Sequence, residues 1–102
     1  QLFLKDEREK IITNCINYCQ NNGIILISCL STRDLLFNMG NEIEENSFEL
    51  QEGLTIHFSY EKEMNNINEQ LKMIQLDYSI EIIEVNGIKK ERNRIYGIYK
   101  IH

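Results

Sequence analysis

The feature that most constrains the fold is an apolar run at residues 23–32, Gly-Ile-Ile-Leu-Ile-Ser-Cys-Leu-Ser-Thr. A continuous apolar run of this length, bounded by a glycine and a polar cluster, is typical of a strand that is buried on both faces. Just before it, apolar positions recur on one face of a predicted helix: Ile12, Cys15, Ile16 and Cys19. A helix that enters a buried strand through a short glycine turn is half of a βαβ unit, so the run predicts an α/β fold.

The stretch after this strand, residues 31–57, shows no sustained hydrophobic period. It contains Gly40 and Gly53 and is rich in glutamate. A connection this long in a small domain is usually functional or disordered, and its scattered apolar residues argue against full disorder. We therefore predict a long acidic loop that packs over a site as a lid or a wall.

The remainder of the chain predicts a helix and a hairpin. Ser59 is a suitable helix N-cap, and an apolar stripe at helical spacing follows it: Tyr60, Met64, Ile67, Leu71 and Ile74. Alternation over 78–85 predicts a strand with one wet face, and Asn86-Gly87 is a strong turn signal before a final strand at 95–101. We expect one domain over residues 1–102, in the order helix, strand, helix, strand, strand, with a parallel first pair of strands and an antiparallel last strand.

Composition excludes several classes of function. The 102 residues carry a formal net charge of -5, which argues against a surface for nucleic-acid phosphates. No apolar run approaches the roughly 18 residues that a membrane span needs, and no signal peptide is visible. The three cysteines lack metal-ligand spacing and suit small buried residues in a reducing compartment. We expect a cytoplasmic protein without a metal site, a membrane anchor or a nucleic-acid partner.

Candidate site residues lie where the apolar strand ends and where the next helix begins, because ligands bind at the carboxyl ends of strands in open α/β sheets. Ser31 and Thr32 could orient a substrate or simply cap the loop. Arg33 could contact an oxyanion or pair with nearby carboxylates. His57, which precedes Phe58, could act as a general base or an anion contact, or pack at the start of the helix. These five residues form the predicted substrate site.

Three segments resemble the C-terminal half of class I S-adenosylmethionine-dependent methyltransferases. Residues 2–8, Leu-Phe-Leu-Lys-Asp-Glu-Arg, resemble the start of the helix that follows the family's fourth strand. Residues 22–28, Asn-Gly-Ile-Ile-Leu-Ile-Ser, resemble the glycine turn into the fifth strand. Residues 56–60, Ile-His-Phe-Ser-Tyr, are similar to the run that leads into the next helix in the tellurite-resistance-type branch.

The resemblance implies a partial Rossmann-like sheet that belongs to a methyltransferase. The substrate of this enzyme is expected to be a small molecule. In this family a glycine-rich loop and an acidic residue hold the cofactor, S-adenosylmethionine. No Gly-x-Gly occurs in the sequence, so the chain is expected to supply the substrate-side half of the enzyme and to be inactive alone. Only the segment around Leu2 and Phe3 is expected to reach the rim of the cofactor.

A second hypothesis stays open beside the methyltransferase. The chain could be a non-enzymatic α/β module that binds a protein partner through its long acidic loop and an exposed sheet edge. An edge strand without neighbours is a template for pairing, so a homodimer is expected if the chain is naturally this short.

Overall fold

The computed structural model describes residues 4–19 and 22–102. Within these residues the strands form two three-stranded antiparallel sheets, ordered β1-β6-β5 and β2-β3-β4. The elements in chain order are α1 (Lys5–Tyr18), β1 (Ile24–Leu30), β2 (Asn41–Glu44), β3 (Ser47–Gln51), β4 (Leu54–His57), α2 (Glu61–Asn65), β5 (Leu71–Val85) and β6 (Ile88–Ile101).

The predicted α/β fold with a partial Rossmann-like sheet is wrong. β6 lies between β1 and β5 and runs antiparallel to both, so the predicted parallel pair does not form. The error lies in the second helix, since α2 ends at Asn65 and the chain from Leu71 onward is extended. The Asn66 side-chain amide donates to the Lys62 carbonyl, and the Gln70 N–H donates to Asn68 Oδ1. Such local side-chain hydrogen bonds compete with the backbone bonds that would continue the helix.

The predicted acidic loop is also wrong, because residues 41–57 form the second sheet. Asn46 (φ 60°) and Gly53 (φ 78°) turn the chain back on itself and make β2, β3 and β4 a meander. Its inward side chains, Phe48 and Ile56, pack with Phe58 into a small core that Phe37 closes edge-on. The core positions are few and the segment also carries glutamates, so its acidic composition concealed a sheet.

The first sheet carries the larger core on one face. The two helices cover this face with Ile16 of α1 and Met64 of α2, which pack against Ile95 and Tyr99 of β6. The Tyr99 hydroxyl donates to the Met64 carbonyl at 2.7 Å, so its only polar atom is paired inside an apolar core. Burial of this hydroxyl, with the Cys29 thiol close by, raises the pKa of Tyr99 to about 12.

The opposite face of the first sheet is open. Ile24 and Leu26 of β1 alternate with inward residues and are 57% and 64% exposed, so the prediction of a strand buried on both faces is wrong. Along the edge of β1 that faces away from β6, the described residues pair only where Ser31 forms a bridge with Ser59. β1 therefore presents an apolar face and most of one edge to its surroundings.

The predicted hairpin at Asn86-Gly87 is confirmed. Both residues have positive φ, 52° and 78°, as a two-residue turn with the twist of the flanking strands requires. The paired strands run from Leu71 to Ile101 and extend beyond the part that β1 covers.

Candidate functional site

A cleft of about 470 Å³ opens beside β1 on the face of the first sheet that carries the core. Its floor is apolar and comes from α1, β1 and the segment after α2: Ile12, Ile27, Cys29 and Ile67. Polar side chains from the start of α1, the end of β4 and α2 line its walls. A concave, mostly apolar site with a few fixed polar groups is the usual form of a small-molecule site.

The most ordered polar group of the cleft is a chain of side chains that runs from β3 to α2. His57 Nδ1 lies 2.8 Å from Ser47 Oγ, and His57 Nε2 lies 2.7 Å from Glu63 Oε1. Ser59 donates its hydroxyl to the same Glu63 oxygen at 2.6 Å. His57 and Ser59 therefore hold the Glu63 carboxylate in one orientation at the wall of the cleft, and Ser47 in turn holds His57.

The charge of Glu63 fixes the tautomer of His57. Burial by itself would raise the pKa of Glu63, but the hydrogen bonds from His57 and Ser59 outweigh it, and the charges of His57 and Arg8 act in the same direction, so the pKa lies below its ordinary value. An ionised carboxylate only accepts hydrogen bonds, so the proton must be on His57 Nε2. In the neutral imidazole, Nδ1 then accepts from the Ser47 hydroxyl.

The order Ser47–His57–Glu63 has the residue types of a hydrolase triad, but its geometry excludes that chemistry for a ligand in the cleft. Ser47 is fully buried, so its hydroxyl cannot reach a substrate. His57 lines the cleft but is almost fully buried, and Glu63, with 34% of its side chain exposed, is the most accessible member of the chain there. The network thus positions a carboxylate and does not activate a nucleophile.

Cys29 lies in the floor of the cleft, but its thiol is not activated. Burial, together with the negative charge of Glu63, raises the pKa of Cys29 to about 11. Its Sγ lies 3.9 Å from Met64 Sδ, in the core. Since the thiolate is the nucleophilic form, Cys29 acts here as a packing residue.

Glu44 attaches the start of α1 to the second sheet and so closes one side of the cleft. Its Oε1 accepts the Lys5 backbone N–H at 2.9 Å and lies 3.9 Å from Arg8 Nη1. A carboxylate at this place satisfies an N–H that has no partner within the helix and interacts favourably with the helix dipole. The N-cap of α1 is Leu4, whose backbone N–H donates to the Glu7 carboxylate at 3.3 Å.

Of the five predicted substrate-binding residues, only His57 lines the cleft. Ser31 is buried and donates its hydroxyl to Asn93 Oδ1 at 2.6 Å, while Thr32 donates its backbone N–H to the Ser59 carbonyl. Arg33 stacks its guanidinium 4.5 Å from the centre of the Tyr78 ring. Phe58 is fully buried in the second core. The predicted cofactor-rim positions, Leu2 and Phe3, lie outside the described residues.

The residues that sequence reasoning missed come from the starts of the two helices. Lys5, Arg8 and Glu63 line the cleft, and the sequence pattern predicts no role for any of them. One signal for Glu63 was present, because it lies one helical turn after Ser59 and beside the apolar stripe of α2. No comparable signal identified Glu44, whose contact with α1 spans the two sheets.

The described part of the chain contains no group of three or more His, Cys, Asp or Glu side chains that could hold a metal ion. Across residues 4–19 and 22–102, neither helix is long and apolar enough to cross a membrane. No family model matches the chain, and no curated protein sequence matches it.

Proposed function

We propose that this chain supplies the substrate-binding side of an S-adenosylmethionine-dependent methyltransferase that acts on a small acceptor. The observation that carries the proposal is the cleft, whose apolar floor and fixed Glu63 carboxylate lie at the carboxyl half of β1. This is the end of a strand at which the family resemblance implies a substrate.

The arrangement of the first sheet supports the same proposal. Every neighbouring pair of strands in this sheet is antiparallel, so the strand directions do not favour the family, and the support comes from the free side of β1. The exposed edge and face of β1 offer a place for a further layer of protein. The proposal does not depend on a parallel sheet, which these residues do not form.

The described residues do not fit the cofactor. The sequence has no Gly-x-Gly through which a backbone could approach it closely, and the cleft walls carry several carboxylates in the place of such a loop. S-adenosylmethionine would supply a methyl group that is already activated, so no step of the transfer is assigned to these residues. Their work is to bind the acceptor, exclude water and hold it in one orientation, which by itself accelerates a displacement.

The test is a methyl-transfer assay on the complete product of the gene, with labelled S-adenosylmethionine and a panel of small acceptors. Ile67→Trp fills the cleft, and Ile80→Trp adds the same ring at an exposed position of the β5–β6 hairpin. We expect I67W to raise KM for the acceptor or abolish transfer while the affinity for the cofactor is kept. Transfer by I67W that equals that of I80W would overturn the assignment of the cleft.

Partner binding without catalysis is a second candidate, and the exposure of Ile24 and Leu26 favours it. An apolar strand with an open edge accepts a strand from another chain or from a second copy. Sedimentation of this chain with Leu26→Glu and with Ile82→Glu, an exposed control on the hairpin, separates the candidates. If the wild-type chain associates, L26E abolishes the association and I82E preserves it, the result supports a partner-binding module that uses β1.

Both candidates belong in a reducing compartment. The three cysteines are free thiols, and two of them, Cys15 and Cys19, are exposed on or beside α1. We therefore propose the cytoplasm as the place where the protein acts.

A further inference from the structure

The Glu63 carboxylate uses one oxygen for both of its internal hydrogen bonds. Oε1 accepts from His57 Nε2 and from the Ser59 hydroxyl, at 2.7 and 2.6 Å. The second oxygen, Oε2, has no hydrogen bond to a described residue. A carboxylate with one oxygen anchored and the other available is oriented for a donor that enters from the cleft, because an ionised carboxyl group only accepts hydrogen bonds.

The charge of the lining has the same sign as Glu63. Four glutamates and two basic residues line the cleft, which leaves an excess of two carboxylates. Lys5 Nζ lies 3.9 Å from Glu9 Oε1, and Arg8 Nη1 lies 3.9 Å from Glu44 Oε1. The charge of Arg8 also acts on Glu63, so Arg8 is the group with which a bound cation would compete. A cleft with apolar walls and one sign of charge concentrates ligands of the opposite sign.

The floor of the cleft sets the second property of the ligand. Ile12, Ile27 and Ile67 supply aliphatic lining to the cleft, and the protonated Cys29 thiol adds no charge to it. A cleft of about 470 Å³ accepts a molecule of the size of an aromatic or branched aliphatic amine.

We propose that the cleft binds small organic cations of this kind, with a protonated amine on Glu63 Oε2 and an apolar body on the isoleucine floor. This names the acceptor class for the proposed methyltransferase, and it rests on the proposed use of the cleft as the acceptor site. The ammonium anchors the acceptor on Glu63 and is not the atom that is methylated, because a protonated amine has no lone pair; the methyl group goes to another nucleophilic atom of the bound molecule. The proposed cation site differs from the sequence-based expectation of an oxyanion at Arg33, because the Arg33 guanidinium stacks on Tyr78 and does not line the cleft.

The test uses this chain, labelled with nitrogen-15, and three probes of one shape: benzylammonium, benzyl alcohol and benzoate. Amide shifts of Cys29, Ser59 and Glu63 report binding in the cleft. Since a charge-assisted hydrogen bond is about twice as strong as a neutral one, we expect benzylammonium to bind about tenfold more tightly than benzyl alcohol, and benzoate to bind most weakly.

Two isosteric variants locate the preference. Glu63→Gln keeps an oxygen that accepts from His57 and Ser59 but removes the charge, so we expect it to abolish the preference for the ammonium over the alcohol. Glu84→Gln removes one charge from the exposed hairpin and should leave the preference unchanged.

Three results would overturn the proposal: tighter binding of benzoate, which would indicate that Arg8 dominates the cleft; equal binding of all three probes; or a preference for the ammonium that E63Q retains. The probe series on the wild-type chain decides the matter even if E63Q fails to fold. The binding experiment contains no cofactor, so a negative result in it does not contradict the methyltransferase proposal. Conversely, absence of methyl transfer in the enzyme assay does not contradict the binding of amines in the cleft.

Discussion

His57 Nε2 lies 2.7 Å from Glu63 Oε1, and this contact joins the end of β4 to α2. It links the two sheets, because β4 belongs to the second sheet and α2 covers the first. The same contact fixes the wall of the cleft. The contact between the sheets and the proposed ligand site therefore share one pair of side chains.

The pH dependence of stability tests this pair. Burial by itself would raise the pKa of Glu63, but the hydrogen bonds from His57 and Ser59 outweigh it and hold this pKa below its ordinary value. A lowered carboxyl pKa contributes stability that is present above the unfolded-state value and is lost as pH falls through the folded-state value. We expect the free energy of unfolding of the wild type to fall more steeply below about pH 4.5 than that of Glu63→Gln. Denaturant unfolding at a series of pH values measures both, and parallel profiles would contradict the prediction.

Asp34 holds the segment after β1 against β6. Its buried carboxylate accepts the Asn93 N–H at 2.6 Å, Arg92 Nε at 3.0 Å and the Leu36 N–H at 3.1 Å. We expect Asp34→Ala to lower the free energy of unfolding by about 2–4 kcal/mol, because it leaves buried donors without an acceptor. The control is Asp77→Ala, at an exposed position, with an expected change within about 0.5 kcal/mol. Equal melting temperatures for the two variants would show that the Asp34 contacts are not formed.

Gly97 is required by the position of the Tyr99 ring. A Cβ at residue 97 would lie 2.6 Å from the Tyr99 hydroxyl oxygen, whereas a Cβ at Gly53 meets nothing within 4 Å. Displacement of the ring breaks its bond to Met64 and disturbs the core, so we expect Gly97→Ala to cost about 1–3 kcal/mol of stability.

Gly53→Ala is the comparison for that substitution. Its cost is limited to the positive φ of 78°, for which we expect about 1–2 kcal/mol. Fluorescence of the tyrosines separates the two variants, because only G97A should alter the buried Tyr99. An unchanged Tyr99 environment in G97A would show that the ring does not pack over Gly97.

The cysteines should differ in reactivity. With a pKa raised to about 11, Cys29 has a thiolate fraction of about one in a thousand at about pH 8. We expect iodoacetamide to modify the exposed Cys15 and Cys19 first and Cys29 last, as mapped by mass spectrometry of timed digests. Modification of Cys29 before the other two would contradict the buried position of its thiol.

The sequence predicted α1 and the β5–β6 turn correctly, because both depend on residues that are close together in the chain. The helical spacing of Ile12 and Ile16 marks α1, and Asn86-Gly87 marks the β5–β6 hairpin because both residues tolerate positive φ. The second sheet was missed because its strands are four or five residues long and carry glutamates between their core positions. Short strands give a weak periodic signal.

The candidate site was predicted less well, because it depends on contacts between distant segments. His57 was identified from its place before Phe58, but its partner Glu63 depends on where α2 ends. The stripe from Tyr60 to Ile74 favoured a long helix, and the pairing of Leu71 with Ile101 overrode that preference. Ser31 and Thr32 follow β1, but the Ser31 hydroxyl binds Asn93, the Thr32 N–H binds Ser59, and neither residue lines the cleft.

The most direct test of the proposed function is isothermal titration of S-adenosylhomocysteine into this chain and into the longest product of its gene. We predict no binding to this chain, because these residues lack the glycine-rich turn that such a ligand requires, and binding to a product that carries such a turn in addition to them. Binding to neither would contradict the methyltransferase proposal and favour the partner-binding module. Binding to this chain alone would contradict the assignment of the cofactor to other residues.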